Sequence, residues 1–263
     1  MSEQNMPGLS DSFLWEDTWK NAKSELTLTL QMIWNTLEKH VDFKGKSYLE
    51  LGCGTGVFGK LALDAGAVHV SLLDRSDNAI KMCKDYIGKD DRVDYILSDA
   101  TEYQTKNKYD IVISNGLIEH FKDDDLSKIL KAHVRNSKDI VVFLAPASPH
   151  FNDIRCKYPW ALKLYGSQYP ISRKKMNDIL NSLNLEIVGI ERFYPMYSIK
   201  LNRLFPFQSR ILGLVDVILI RSKFYDLITH ITNPLGIILG GFIIGIGRLK
   251  KPCGREKREC IGS

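Results

Sequence analysis

The residues with the clearest capacity for chemistry stand in Glu50-Leu-Gly52-Cys-Gly54-Thr-Gly56, three glycines at alternate positions behind a short apolar run. Glycine permits a tight turn and lets a ligand lie against bare backbone, and a helix starting behind it offers free N–H groups. By itself such a turn serves a dinucleotide, a nucleotide or merely a tight corner. Two carboxylates narrow the choice. Asp74 closes the next apolar run, where it could accept from both hydroxyls of a ribose, and Asp99 closes the one after, placed to accept from an exocyclic amine. The spacing is G-x-G-x-G, not the dinucleotide G-x-G-x-x-G, and an acidic residue opens it. Together these residues outline a crevice for an adenosine that carries no phosphate.

A candidate general base lies further on, in Ser114-Asn-Gly-Leu-Ile-Glu-His-Phe121. His120 follows the fourth apolar run and is the side-chain type that titrates near neutrality. Glu119 beside it could orient the ring or line the pocket, although neighbours in a helix or turn point apart. Upstream, Trp15 and Trp19 stand four apart, on one face if helical. They read as anchors docking a helix on the core. His150, Phe151, Tyr158, Trp160, Tyr165 and Tyr169 crowd another stretch that suits a pocket wall or ordinary lid packing.

The elements that must hold these residues alternate. Leu26, Leu30, Ile33, Leu37 and Val41 keep helical spacing. KSYLEL then runs into the glycines as a strand, and GVFGKLALDAG follows as a helix until Gly66 stops it. AVHVSLLD, RVDYILSD, YDIVISN and DIVVFLAP read as strands, SDNAIKMCKDYIG and DDDLSKILKAHV as helices. Nearly all-apolar strands separated by helices indicate a parallel sheet covered on both faces. Ser172 caps a helix using Met176, Ile179, Leu180 and Leu183, LEIVGIERF is a strand, and GGFIIGIGRLK closes the fold as the last. The expected organisation is a helical cap over 1–45 and one domain over 46–250. Insertions interrupt that domain at about 147–170 and 194–235, and a charged tail covers 251–263.

With the glycine turn, Asp74 and Asp99 at successive strand ends, the chain resembles the class I S-adenosylmethionine-dependent methyltransferases. The resemblance is strongest over 46–146. It implies S-adenosyl-L-methionine as cofactor, with Glu50, Gly52, Gly54 and Gly56 around its methionine and ribose parts and Asp74 on the ribose hydroxyls. Asp99 with the Ala100 backbone would meet the adenine, and Ser114 with Asn115 the methionine end. It also implies an α/β Rossmann-like, doubly wound sheet of seven strands whose antiparallel last strand lies beside the fifth. The Glu119-His120 pair resembles a stretch in quinone and related small-molecule O-methyltransferases. Some of those carry a second Glu where this chain has Gly116, a departure that favours metal-free transfer. The Asn/Asp-Pro-Pro-aromatic signature of many base- and glutamine-directed amino methyltransferases is missing at Ser114–Leu117, so a nucleic-acid substrate is not expected. Thiopurine-type methyltransferases, which the rest of the chain does not follow, have a similar Trp-containing entry segment closing over the cofactor, a likeness that implies a flap carrying Trp15 and Trp19. The implied activity is transfer of a methyl group to a small molecule, with a hydroxyl the favoured acceptor. The alternatives are a methyltransferase-fold cofactor-binding module without turnover and a membrane-surface-associated methyltransferase or interaction protein.

Composition frames these expectations. The 263 residues are 44% apolar and 25% charged, the proportions of an ordinary folded protein. Five scattered cysteines read as reduced thiols of a cytoplasmic protein, and Met1–Ser12 has no signal-peptide pattern. Residues 1–150 hold 18 Lys+Arg against 23 Asp+Glu, while 151–263 hold 18 against 8. The basic second half suggests an anionic or amphiphilic acceptor, such as a quinone precursor or a lipid-like or glycan intermediate. Residues 205–232 are apolar and basic, and read as a core-packed lid, an interfacial helix on an anionic membrane or a span. The oligomeric state is not legible.

Overall fold

The computed structural model describes residues 12–20, 22–149, 152–193 and 241–250. Two helices, α1 (Ser12–Lys20) and α2 (Leu28–Glu38), precede the alternating core of β1 (Ser47–Leu51), α3 (Val57–Asp64), β2 (His69–Asp74), α4 (Asp77–Ile87), β3 (Val93–Leu97) and β4 (Tyr109–Asn115). A 3-10 turn (Ile118–His120), α5 (Asp123–Asn136) and β5 (Ser137–Ser148) follow. Then come α6 (Asn152–Arg155), α7 (Pro159–Tyr165), β6 (Ile171–Ser172), α8 (Arg173–Ser182), β7 (Leu185–Phe193) and β8 (Phe242–Leu249).

The sheet runs β3-β2-β1-β4-β5-β8-β7, with β6 adding a two-residue pairing at the far end of β5. The first five strands of that order are parallel, and β8 is antiparallel to both β5 and β7. The last strand thus lies beside the fifth. Its GIG sequence has a packing reason: a Cβ on Gly245 would fall 2.3 Å from Met176 Sδ, so α8 packs flush on the sheet only over glycine.

Each face of the sheet buries one apolar layer. Tyr48, Leu72, Ile111, Ile113 and Val142 meet α2, α3 and α4 through Ile33, Trp34, Leu37, Phe58 and Ile80. On the other face Leu49, Leu51 and Val112 meet Ile129 and Ala132 of α5, and Phe143 and Val141 pack with Met176 and Leu180 of α8. At β3, on the edge, burial falls away and Leu97 is exposed.

Local signals set the helix starts. Ser76 and Ser172 accept from the N–H groups of Ala79 (3.2 Å) and Lys175 (3.1 Å). The second helix begins at Leu28, later than the spacing from Leu26 suggests, because Thr27 takes the N-cap position and accepts from Leu30 N–H (3.3 Å). Leu26 is left exposed. The stretch read as an irregular insertion after β5 contains α6 and α7. Residues 194–235, including the apolar basic segment 205–232, lie outside the described residues, as do the tail 251–263 and the aromatic candidates His150 and Phe151. Among the described residues no helix is long and apolar enough to cross a membrane.

Candidate active site

The glycine turn joins β1 to α3 at the C-terminal ends of the parallel strands. Gly52, Gly54 and Gly56 all have positive φ (71°, 49° and 71°), a region open to glycine at little cost. Gly52 and Cys53 N–H donate to Leu73 O of β2 (2.8 and 2.9 Å). Gly54 N–H donates to Asp74 Oδ2 (2.9 Å), and Ser76 N–H to Asp74 Oδ1 (3.0 Å). Asp74 therefore braces the turn against the end of β2. Burial raises its pKa, and the N–H donors of Ser76, Gly54 and Arg75 oppose the rise.

A cavity of about 600 Å³ opens above the turn, walled by Glu50, Gly52–Thr55, Phe58, Asn115, Gly116, Glu119 and His120, with Trp15 and Trp19 of α1 and Tyr165 and Gln168 on its outer side. A narrower slot of about 80 Å³ shares Trp15, Trp19, Gly52, Gly116 and His120 with it and adds Leu73, Asp74, Arg75, Asp99, Ala100, Leu117 and Phe121. The two indoles pack with centroids 6.2 Å apart and planes 23° from parallel. Trp19 lies on the turn itself: a Cβ on Gly54 would sit 2.7 Å from its ring. Helix α1 is held there by Glu16, whose carboxylate accepts from Asp77 N–H (2.8 Å) and Asn78 N–H (3.4 Å) at the start of α4. Ser24 Oγ donates to Thr55 O (2.7 Å).

Glu50, at the end of β1, is 2% exposed, and its Oε2 has no hydrogen-bond partner. Burial pushes its pKa up to about 8; Tyr48 and the Gly59 N–H oppose the rise, while the Asp74 carboxylate adds to it. The buried Tyr48 hydroxyl faces this carboxyl.

His120 Nδ1 lies 3.0 Å from Ser167 O. A carbonyl only accepts, so Nδ1 carries the proton and Nε2 presents a lone pair. Burial lowers the ring's pKa to about 4, against the pull of the Ser167 and Gly116 carbonyls, so the imidazole is neutral. Trp15 meets the ring edge-on at 4.9 Å. Although adjacent, Glu119 and His120 both line the cavity, with Glu119 Oε1 4.0 Å from His120 Nε2. The tight 3-10 turn allows this, and Tyr169 N–H pins it by donating to Glu119 O (2.7 Å).

The remaining expected residues divide. Asn115 lines the large cavity, while Asp99 and Ala100 line the slot. Asp99 Oδ1 also accepts from the Thr101 N–H and hydroxyl (2.8 and 2.7 Å). Ser114 lines neither cavity; its hydroxyl is buried on the opposite face, 2.9 Å from His133 Nε2. His133 Nδ1 donates to Ile129 O (2.8 Å), so Ser114 is the donor to Nε2. Gly56 lines neither cavity and starts α3, where a Cβ would fall 2.7 Å from Cys83 Sγ. Gln168, Phe121 and the Ser167 carbonyl were not anticipated. Phe121 directly follows His120 in the same motif, whereas no local signal marks Ser167.

The sheet order, the antiparallel penultimate strand in space and a glycine turn under a cleft at the parallel strand ends define the class I S-adenosylmethionine-dependent methyltransferase fold. Residues 49–139 match the family described as "Methyltransferase domain". Malonyl-[acyl-carrier protein] O-methyltransferase 2 of Ilyobacter polytropus is 35% identical over 89 residues, 32% of this chain and 34% of that protein. Phosphoethanolamine N-methyltransferase 2 of Caenorhabditis elegans is 29% identical over 167 residues, 61% of this chain and 37% of that protein. The chain spans about a third of the length of these curated relatives. Among solved structures, N-methyltransferase NodS from Bradyrhizobium japonicum, in complex with S-adenosyl-L-homocysteine, superposes with a TM-score of 0.57 at 10% identity. That match covers 90% of this chain and 97% of NodS, and it speaks for the fold.

Proposed function

We propose that the protein transfers the methyl group of S-adenosylmethionine to a small molecule at a hydroxyl, with an amine the second choice. The observation that carries this reading is the convergence of the buried Glu50 carboxyl and the Nε2 lone pair of His120 on one cavity above the glycine turn. The residues fit the cofactor: the turn offers flush backbone, and Glu50 suits a cationic group. Asp74, Asp99, Leu117 and Phe121 line the slot that suits an adenosine. When bound, the cofactor supplies an electrophilic methyl carbon on a sulfonium.

In this reading the chain's own residues place the acceptor and manage its proton. Displacement at the methyl carbon requires the nucleophile about 3 Å away and in line. His120 Nε2 takes the proton of a hydroxyl as the bond forms, or that of an ammonium before its nitrogen can attack, its tautomer held by Ser167 O. Glu119 lines the wall beside it, and Trp15 and Trp19 exclude water. The carboxyl residues described in the cavity wall are Asp17, Glu50 and Glu119, and no Lys or Arg stands among the described lining residues. This lining supports an amphiphilic acceptor whose reacting end is neutral, and any anionic portion of it would sit outside the described wall.

The test is calorimetric titration with S-adenosylmethionine, followed by labelled methyl transfer into a metabolite extract. Binding is expected, and Asp74→Ala should abolish it by loosening the turn and opening the slot. His120→Ala should retain cofactor binding and lower kcat by about 10²–10⁴-fold. Failure to bind the cofactor, or His120→Ala turning over at the native rate, would overturn the reading.

A further inference from the structure

Two thiols meet beneath the glycine turn. Cys53, between Gly52 and Gly54, and Cys83 of α4 are reduced and buried, with their sulfurs 3.7 Å apart. Cys83 Sγ donates to Gly54 O (3.3 Å), which leaves the Cys53 thiol as the donor to Cys83 Sγ. The Cys53 backbone is tied on both sides: its N–H donates to Leu73 O (2.9 Å) and its carbonyl accepts from Gly56 N–H (2.9 Å). Cys53 lines the large cavity, whereas Cys83 is fully enclosed, its sulfur against Gly56. A small molecule in the cavity therefore meets the Cys53 sulfur first and reaches Cys83 only through it. The third described cysteine, Cys156, donates instead to Gln168 Oε1 (3.4 Å).

We propose that Cys53 and Cys83 are a modification site, at which a peroxide entering the cleft forms a disulfide that weakens S-adenosylmethionine binding until the bond is reduced. The inference rests on the cofactor reading above. In the first step the Cys53 sulfur attacks one peroxide oxygen, the O–O bond breaks, and the Cys53 proton leaves with the other oxygen, giving a sulfenic acid and water or an alcohol. The Cys83 sulfur then attacks the Cys53 sulfur. The S–S bond forms, the S–O bond breaks, and the hydroxide departs as water with the Cys83 proton. The two thiols lose two electrons and the peroxide gains them. Bonded sulfurs lie about 2.05 Å apart, so the pair must close by about 1.7 Å. Helix α4 is capped by Ser76 and buries Ala79 and Ile80, so the turn is the part that yields. The bond from Cys83 to Gly54 O is lost with the thiol proton, on the same residue whose N–H meets Asp74. Burial and the neighbouring Cys83 push the Cys53 thiol up, so little of it is thiolate and oxidation is slow. A bound cofactor covers the turn and slows it further. The site thus answers sustained oxidant when cofactor is scarce.

The test exposes the full-length protein to excess hydrogen peroxide, with and without S-adenosylmethionine, and maps its peptides by mass spectrometry without reduction. Peptides joined through Cys53 and Cys83, lighter by two hydrogens, are expected, and they should form more slowly when the cofactor is present. By calorimetry the oxidised protein should bind S-adenosylmethionine about tenfold more weakly, the worth of one lost hydrogen bond in the turn. Dithiothreitol should restore the affinity. Cys83→Ser should yield no joined peptides and should accumulate a dimedone-reactive sulfenic acid at Cys53. If Cys83→Ser does not fold, the native protein alone still decides. No link under excess peroxide, a link of either thiol to Cys156 instead, a rate indifferent to bound cofactor, or a link that leaves the affinity unchanged overturns the inference. Reduced protein that binds no S-adenosylmethionine overturns the cofactor reading and its regulation with it, while the joined peptides still report whether the two thiols couple.

Discussion

Replacing Gly54 with alanine tests whether the turn and α1 form one unit. Two costs add. A left-handed φ of 49° is open to glycine and costs alanine about 1–2 kcal/mol. The new Cβ would also stand 2.7 and 2.9 Å from Trp19 ring carbons, closer than carbon atoms approach in packed interiors. Overpacking of this kind costs about 1–3 kcal/mol, so the sum is about 2–5 kcal/mol if α1 stays docked. Gly45 supplies the control. Its φ of 72° is equally left-handed, but nothing lies within 4 Å of an added Cβ, so Gly45→Ala measures the backbone cost alone. Urea denaturation of Gly54→Ala, Gly45→Ala and Gly54→Ala/Trp19→Ala, each against its parent, gives the three differences, with tryptophan emission reporting the docking of α1. Gly54→Ala should cost more than Gly45→Ala, and removing the Trp19 indole should bring the two together. If Gly54→Ala costs no more than Gly45→Ala with the indole present and its emission unchanged, Trp19 does not pack on the turn and the reasoning fails.

Acid stability carries a second expectation. His120 and His133 both have folded pKa values near 4, below the ordinary 6.5, because burial disfavours the charged ring. A depressed histidine contributes fully above pH 6.5 and loses its contribution as pH falls toward 4, by about 3 kcal/mol for each ring as an upper bound. His133→Gln should flatten that acid limb in urea titrations from pH 7 to pH 4, and an unchanged limb would count against it. Glu50 works with the opposite sign, since its raised pKa makes the free protein less stable as pH climbs from about 4.5 to about 8. Glu16→Ala removes the acceptor from the first N–H groups of α4 and should cost about 0.5–2 kcal/mol, with Trp15 and Trp19 more accessible to a quencher. Unchanged quenching would mean that Glu16 does not hold α1 down.

What could be read from the sequence alone is what local chemistry dictates. Apolar runs ending in Gly-x-Gly-x-Gly, Asp74 or Asp99 specify strands that stop at one edge, because backbone geometry and burial act over a few residues. The caps at Ser76 and Ser172 follow the same logic. The side of the strand on which Ser114 would fall was not legible: β4 alternates its faces, and only α5 placing His133 within 2.9 Å shows that the hydroxyl turns away from the cleft. Nor could the sequence show that Glu119 and His120 share a cavity, since that depends on the 3-10 turn pinned by Tyr169. The proton position on His120 is set by a carbonyl 47 residues away. Trp19 was visible as one of a helical pair, but its seat on Gly54 requires α1 to cross the turn. Residue types and spacing thus named the chemistry. Tertiary contacts between distant segments decided which lone pairs, protons and unpaired oxygens face the cavity, because burial and hydrogen-bond partners exist only once those segments meet.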